Sequence, residues 1–388
     1  MIISTVSARV IKDSRNTDTI AVSVNGCAWA SSPNGKSVGD YETPSYFRNL
    51  KFCVDFLNKW NEEIVVEKFE DLARVEKAIC KKLKIKNARE FGANSLYAFE
   101  SAVLKALASE TGKELFEIVG KDCRLPFPVG NVVGGGLHSS SIKERPNFQE
   151  FLVIPFSKKI SENVKIMTYV YSEIGKKIKI KKVNDEGAWL ASVSDGEAIE
   201  ILNEIRKIAE KKFRVKIGLG LDVASSTLFN KNHYKYHNHS HNSTSQLFYM
   251  NNLISGFNLH YVEDPFEQQD FKSFAKLNNN SGKRCLIVGD DLIATQYDRL
   301  VKAIKTKSIN AVIVKPNQNG SLLELKKIFD LCRARKIKTI LSHRSGETLD
   351  SGLADYAVGF GADYIKCGVA TKWREAKLKR LVEIEKRL

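Results

Sequence analysis

Leu286-Ile287-Val288-Gly289-Asp290 and Ala311-Val312-Ile313-Val314-Lys315 are two short apolar runs, each ending on a charged residue. Runs this short and this rich in β-branched residues predict buried strands. Four more follow the same rule. Lys216 to Leu221 runs into Asp222, Leu259 to Val262 into Glu263, Thr339 to Ser342 into His343-Arg344, and Tyr364-Ile365 into Lys366. Counted from 222 through 263, 290, 315 and 343 to 366, the spacings are 41, 27, 25, 28 and 23 residues. The gaps carry helical periodicity, as in Leu322, Leu325, Ile328, Phe329 and Cys332. Repeated strand–helix units imply parallel strands with crossover helices. An open doubly wound sheet would gather its ligands at one switch point. Polar residues at the ends of six strands fit the rim of a closed (β/α) barrel better.

Upstream of these units the pattern changes. Ile2 to Val10 and Thr19 to Val24 alternate like strands, and residues 31–40 read as a Ser/Pro/Gly/Asn loop. Helices are predicted at about 44–60, 70–83, 93–111 and 113–119. The reading is a small α+β domain over residues 1–125 and a barrel over 126–388, punctuated by Pro126 and Pro128. The segment 233–241 is polar and reads as a surface loop, with His237, His239 and His241 alternating along it.

Composition excludes several classes. The chain has 388 residues, 43% hydrophobic and 27% charged, and no run of 18 apolar residues that would predict a membrane helix. Seven cysteines without a C-x-x-C pair argue against a disulfide framework or zinc ribbon and for a reducing cytoplasm. The net charge of +16 would attract anionic partners, a phosphorylated small molecule among them. Nucleic acid is not expected as a partner, since no aromatic-plus-basic RNA motif accompanies the charge.

Three of the strand ends carry carboxylates: Asp222, Glu263 and Asp290. Hard oxygen ligands without His or Cys suit Mg²⁺ better than Zn²⁺. The competing reading makes each a helix cap or a lysine partner. Lys315 ends the next strand, and beside a divalent cation its pKa would fall, as a general base requires. Glu150 and Glu186 could deliver a proton from across the pocket, with His138 and His343 as helpers. Arg344 offers a planar fork and Ser345 a hydroxyl for a phosphate, while Lys366 could neutralise a carboxylate.

Several segments resemble the enolase family. They are Gly92-Ala93-Asn94; Gln149-Glu150-Phe151 with Pro155; Asp222-Val223-Ala224-Ser225-Ser226; Glu263-Asp264-Pro265-Phe266; Val288-Gly289-Asp290-Asp291-Leu292; Lys315-Pro316-Asn317-Gln318-Asn319-Gly320; and Ser342-His343-Arg344-Ser345-Gly346-Glu347-Thr348. The resemblance covers nearly the whole chain. It implies an α+β cap on an eight-stranded TIM-type barrel with a β-β-α-α start. It further implies Mg²⁺-dependent dehydration of 2-phosphoglycerate to phosphoenolpyruvate, and usually a homodimer. It gives Lys315 the role of base, and makes Glu186, supported by Glu150, the acid. Substrate contacts would come from His138, Gln149, His343, Arg344, Ser345 and Lys366. Asp222, Glu263 and Asp290 would hold one Mg²⁺, and Ser37 would help hold a second.

Departures fall in the expected closing loops. The family's D-S-R-G-N-P-T reads Asp13-Ser14-Arg15-Asn16-Thr17-Asp18-Thr19, and its P-S-G-A-S-T-G reads Pro33-Asn34-Gly35-Lys36-Ser37-Val38-Gly39. Its G-D-E-G-G-F reads Asn184-Asp185-Glu186-Gly187-Ala188-Trp189, where Trp189 would add bulk beside the acid and Ala188 would strain a glycine conformation. Alternatives are therefore a paralogue acting on another hydroxy-acid, or a non-catalytic protein that kept the fold.

Overall fold

The structure is a computed structural model, describing residues 1–36, 39–120, 123–178 and 182–388. Eight strands form the barrel: β1 (Phe127–Gly134), β2 (Glu150–Pro155), β3 (Ile217–Asp222), β4 (Tyr261–Glu263), β5 (Leu286–Gly289), β6 (Ala311–Val314), β7 (Lys338–Ser342) and β8 (Tyr364–Lys366). From β3 to β8 each pairs in parallel with the next, and β8 closes onto β1 with Lys366 opposite Val129. β2 runs antiparallel to both neighbours, so Glu150, its first residue, lies opposite Asp222, the last of β3. Two helices, Ile160–Lys177 and Asp195–Phe213, then lead into β3.

Alternate side chains divide the burial. Val129, Leu152, Ile154, Tyr261, Val288, Ala311, Ile313 and Ile340 fill the barrel interior as one cluster. The larger apolar cluster lies between the strands, the outer helices and the N-terminal layer. That interior is packed side chain rather than pore, which confines chemistry to the rim.

The N-terminal layer is a hairpin, Val6–Lys12 with Asp18–Val24, joined by the short strand Ala30–Ser31. Helix Ala93–Thr111 lies behind it, buried on nearly all sides, and stops at Gly112, whose φ of 64° ends it in the left-handed region. The predicted helix 44–60 forms only over Leu50–Asn58. Asn49 caps it by accepting from Phe52 N, and Arg48 at φ 59° breaks any helix before it. Segment 233–241 corrects the loop reading. With Phe229–Asn230 it makes a three-stranded antiparallel sheet in which His239 stacks on Tyr236. No helix among the described residues is long and apolar enough to cross a membrane.

The layer is bolted to the barrel by buried polar contacts. Asp350, after β7, accepts from Lys105 Nζ at 2.8 and 2.9 Å and from Ser31 N at 2.8 Å. Asn94 Oδ1 accepts from Asn317 Nδ2 at 3.0 Å. Asn34 and Gly346 exchange backbone hydrogen bonds at 2.7 and 2.9 Å.

Candidate active site

The C-terminal ends of the parallel strands open into a cavity of about 480 Å³. Its wall includes His138, Gln149, Glu150, Glu186, Asp222, Asp290, Lys315, His343, Arg344, Ser345 and Lys366. Eleven of the thirteen sequence-predicted site residues therefore meet in one place. Glu263, fully buried, stands behind the wall and touches Lys366. Ser37 lies outside the described residues.

Two lysines organise the carboxylates. Lys366 Nζ is 3.0 Å from Glu150, 3.1 Å from Asp222 and 2.8 Å from Glu263. Lys315 Nζ pairs directly with Asp290. The ligand trio read from the sequence is thus interleaved with ammonium groups. Among the described residues, the three carboxylates with an oxygen each within 4.8 Å of one another are those of Asp264, Asp290 and Asp291. Asp264 is spent on backbone, since its oxygens accept from Asp290 N at 2.9 Å and Asp291 N at 2.6 Å. It positions the turn that aims Asp290.

The donors fit a hard divalent cation. Glu263 Oε1 and Asp290 Oδ1 are buried without a hydrogen-bond partner, and an orphaned buried carboxylate oxygen is costly unless something positive takes it. With Asp222 they offer an all-oxygen donor set, which suits a hard divalent cation. Burial and the neighbouring Asp222 push Glu263 up to about 8, and burial and Asp290 raise Asp291 to about 7. Burial lowers Lys315, but Asp290 outweighs that and holds it above its ordinary value; the fall expected beside a divalent cation belongs to the metal-bound site.

On another side of the cavity, Glu150 and Glu186 face each other, with one oxygen of each and a His138 ring nitrogen all within 4.8 Å. Burial raises Glu150 well above the carboxylate range, against the pull of Lys366. Glu186 is buried too, yet His138, His343 and Arg374 hold it well below that range. The pair is built to keep one proton between two carboxyls. His138 Nδ1 stands 3.6 Å from Glu186 and 3.8 Å from Glu150, and His343 Nε2 is 3.9 Å from Glu186. Gln149 Nε2 reaches Asp222 at 3.4 Å.

Arg344 is held in place before any ligand is considered. Its guanidinium forms a two-pronged pair with Glu42, whose side chain is 8% exposed, at 2.9 and 3.1 Å, and donates to Asn317 Oδ1 at 3.2 Å. Glu42, Asp264, Asp291 and the buried cation Arg374 escaped the sequence reading. Asp264 and Asp291 stood inside quoted motifs, one residue after the chosen acid; Glu42 and Arg374 had no local signal.

The closing loops are less disturbed than their sequences suggest. Asn16 takes φ 61°, a conformation asparagine tolerates, where the family motif has glycine. The positive φ of the 184–189 loop, 83°, falls on Gly187 and not on Ala188. Trp189 corrects the expectation of bulk beside the acid. It stacks on Tyr171, donates to the Tyr171 carbonyl and packs toward Gly175.

A capped barrel with paired carboxylates and lysine–carboxylate pairs at the C-terminal rim of its strands has the layout of a TIM-barrel enzyme. The comparisons specify it. Residues 122–388 match the family model described as enolase, C-terminal TIM barrel domain. The enolase of Methanosphaera stadtmanae is 35% identical over 405 residues, covering 100% of this chain and 97% of that one. The enolases of Archaeoglobus fulgidus and Thermoplasma acidophilum are 34% and 33% identical, each covering 99% of this chain and 97% and 98% of their own. This chain belongs to the enolase family and is a lyase.

Proposed function

We propose that the chain interconverts 2-phosphoglycerate and phosphoenolpyruvate with Mg²⁺. The observation that carries the reading is the shared cavity: Lys315, the Glu150–Glu186 pair, Arg344 and Ser345 all line it. Lys315 Nζ takes the proton from the carbon next to the substrate carboxylate, and Lys366 faces that carboxylate. The Glu150–Glu186 pair gives its proton to the departing hydroxyl, with His138 and His343 flanking it. Arg344 and Ser345 hold the phosphate, and Gln149 orients Asp222. Asp222, Glu263 and Asp290 would hold one Mg²⁺, and Ser37 would help hold a second. When bound, such ions supply fixed positive charge to the carbanion that forms. A lysine base beside Mg²⁺ is the known pattern of enolase-superfamily sites. The family's habits add a glycolytic role, a cytoplasmic location and a homodimer, the last checked by light scattering.

A steady-state assay with 2-phosphoglycerate, with and without Mg²⁺, tests the reading. Turnover that requires the cation supports it, and absence of turnover with cation present refutes it. One observation favours a related acid as substrate: Lys36 reaches over the cavity to the Leu137 carbonyl at 3.1 Å and sits 3.8 Å from Asp185. Faster turnover of another hydroxy-acid than of 2-phosphoglycerate would establish that alternative.

A further inference from the structure

The C-terminal helix, Lys372–Glu385, sends two fully buried cations inward: Arg374 at 0% exposure and Lys377 at 1%. Neither lines the cavity or is given a step in the reaction; Arg374 bears on the acid pair only through its charge, which helps hold Glu186 low. Filling that space with an apolar side chain would avoid the desolvation cost of a guanidinium, so its charge needs a purpose.

The contacts supply one. A single terminal nitrogen of Arg374 donates to the Ser345 carbonyl at 2.9 Å and to the Arg344 carbonyl at 3.3 Å. Its Nε and other terminal nitrogen are buried with no hydrogen-bond partner. The guanidinium is thus committed to two backbone oxygens, those of the residues proposed to hold the phosphate. Because a peptide unit is planar with its C=O and N–H opposed, fixing the Arg344 carbonyl turns the Ser345 N–H to the far side of the loop. Lys377 secures the next stretch: its Nζ meets Glu347 at 2.6 Å and the Thr348 carbonyl at 2.6 Å. Glu347 in turn accepts from Arg344 N at 3.2 Å and from Thr348 N at 3.1 Å. The stem of Arg374 rests against Gly368, two residues beyond Lys366, where an added Cβ would come within 3.2 Å of it. At φ 77° that position also favours glycine.

We propose that Arg374 is a positioning residue for the anion end of the substrate. Together with Lys377 and Glu347, it sets the 343–348 turn so that Arg344 and Ser345 present their donors to a phosphate group. This rests on the assignment of Arg344 and Ser345 to the phosphate, and it goes further by making a residue outside the cavity decide phosphate affinity.

The test uses the full chain as wild type, R374M, R374K and K377M. Binding of inorganic phosphate is followed by calorimetry, 2-phosphoglycerate kinetics are measured with Mg²⁺, and melting temperature monitors the fold. R374M should weaken phosphate and raise KM by about tenfold or more, with kcat reduced by less than about threefold. R374K keeps a charge and a donor, and should recover most of the phosphate affinity. K377M should fall between R374M and wild type. Where R374M fails to fold, R374K and K377M carry the decision, each expected to raise KM by about threefold or more. Unchanged phosphate affinity in the folded variants, or a loss confined to kcat, overturns the proposal. So does a wild type that binds no phosphate. Phosphate binding that responds to Arg374 in a protein that does not turn over 2-phosphoglycerate would sustain the positioning role while refuting the substrate assignment.

Discussion

Replacing Lys366 by methionine tests the electrostatic design of the barrel mouth most directly. The ammonium is 3% exposed and touches three carboxylates at 2.8 to 3.1 Å. At an effective permittivity near 20, each contact is worth roughly 5 kcal/mol before the cost of dehydrating the ammonium is subtracted. Cutting one partner out of a buried ion cluster typically costs about 3–5 kcal/mol, because the remaining charges stay buried and unpaired. Unfolding entropy near 2.1 cal/mol/K per residue over 388 residues comes to about 0.8 kcal/mol/K. The expected loss is therefore about 4–6 °C in Tm, read by differential scanning fluorimetry in a chelating buffer. Adding millimolar Mg²⁺ should return more Tm to K366M than it adds to wild type, since the cation replaces part of the missing charge. Equal melting temperatures for variant and wild type in chelator would refute the reasoning. They would mean that Glu150, Asp222 and Glu263 do not depend on this ammonium.

Other expectations follow from single residues. K315A should lower kcat by about 10² to 10⁴, because the lost group acts on the substrate proton, and should lower Tm as well, because Asp290 loses its ammonium partner. E186Q should abolish dehydration yet keep exchange of the substrate α-proton with D₂O, since Lys315 remains; mass spectrometry of recovered substrate decides it. D350N should cost about 3 kcal/mol by freeing Lys105 in the cap–barrel joint. Burial raises Asp350, but Lys105 and the N–H groups of Gly352 and Ser31 hold it below its ordinary value. Its contribution is thus complete above a pH of about 4 and fades as pH drops through the folded value, so the D350N deficit should narrow in acid. G120A should destabilise by about 3 kcal/mol or more, because a Cβ there would sit 1.8 Å from the Gly359 carbonyl oxygen.

What the sequence made legible is what repeats. Strand ends at Asp222, Glu263, Asp290, Lys315 and Lys366 were readable because the barrel forces one geometry on each unit, apolar run first and polar residue at the rim. Helix Ala93–Thr111 was readable to the residue, since its periodic apolar positions end at a glycine. The 229–241 sheet was hidden because its strands are two or three residues long and polar. Arg374 and Lys377 were hidden for a different reason. Charges in a terminal helix conform to a solvated face, and only coordinates reveal that these two point inward.

The closing loops show where a motif comparison and a physical one part company. Read as letters, residues 13–19, 33–39 and 184–189 have drifted. Read as conformations, the described changes are mild. Asparagine stands at the left-handed position 16, alanine avoids the left-handed position in its loop, and Trp189 turns away onto Tyr171. What has changed is charge. Lys36 and Arg15 both approach Asp185, at 3.8 and 3.5 Å, so one carboxylate joins residues from all three closing segments. Such half-exposed pairs contribute little to stability and are screened by salt. Their effect would fall on how readily an anion is drawn in and retained, which makes the ionic-strength dependence of KM, compared between wild type and K36A, the measurement that separates a drifted loop from a retuned one. A weaker salt dependence in K36A with kcat preserved would mark Lys36 as part of the anion's approach. Identical salt profiles would return the loop to neutral drift.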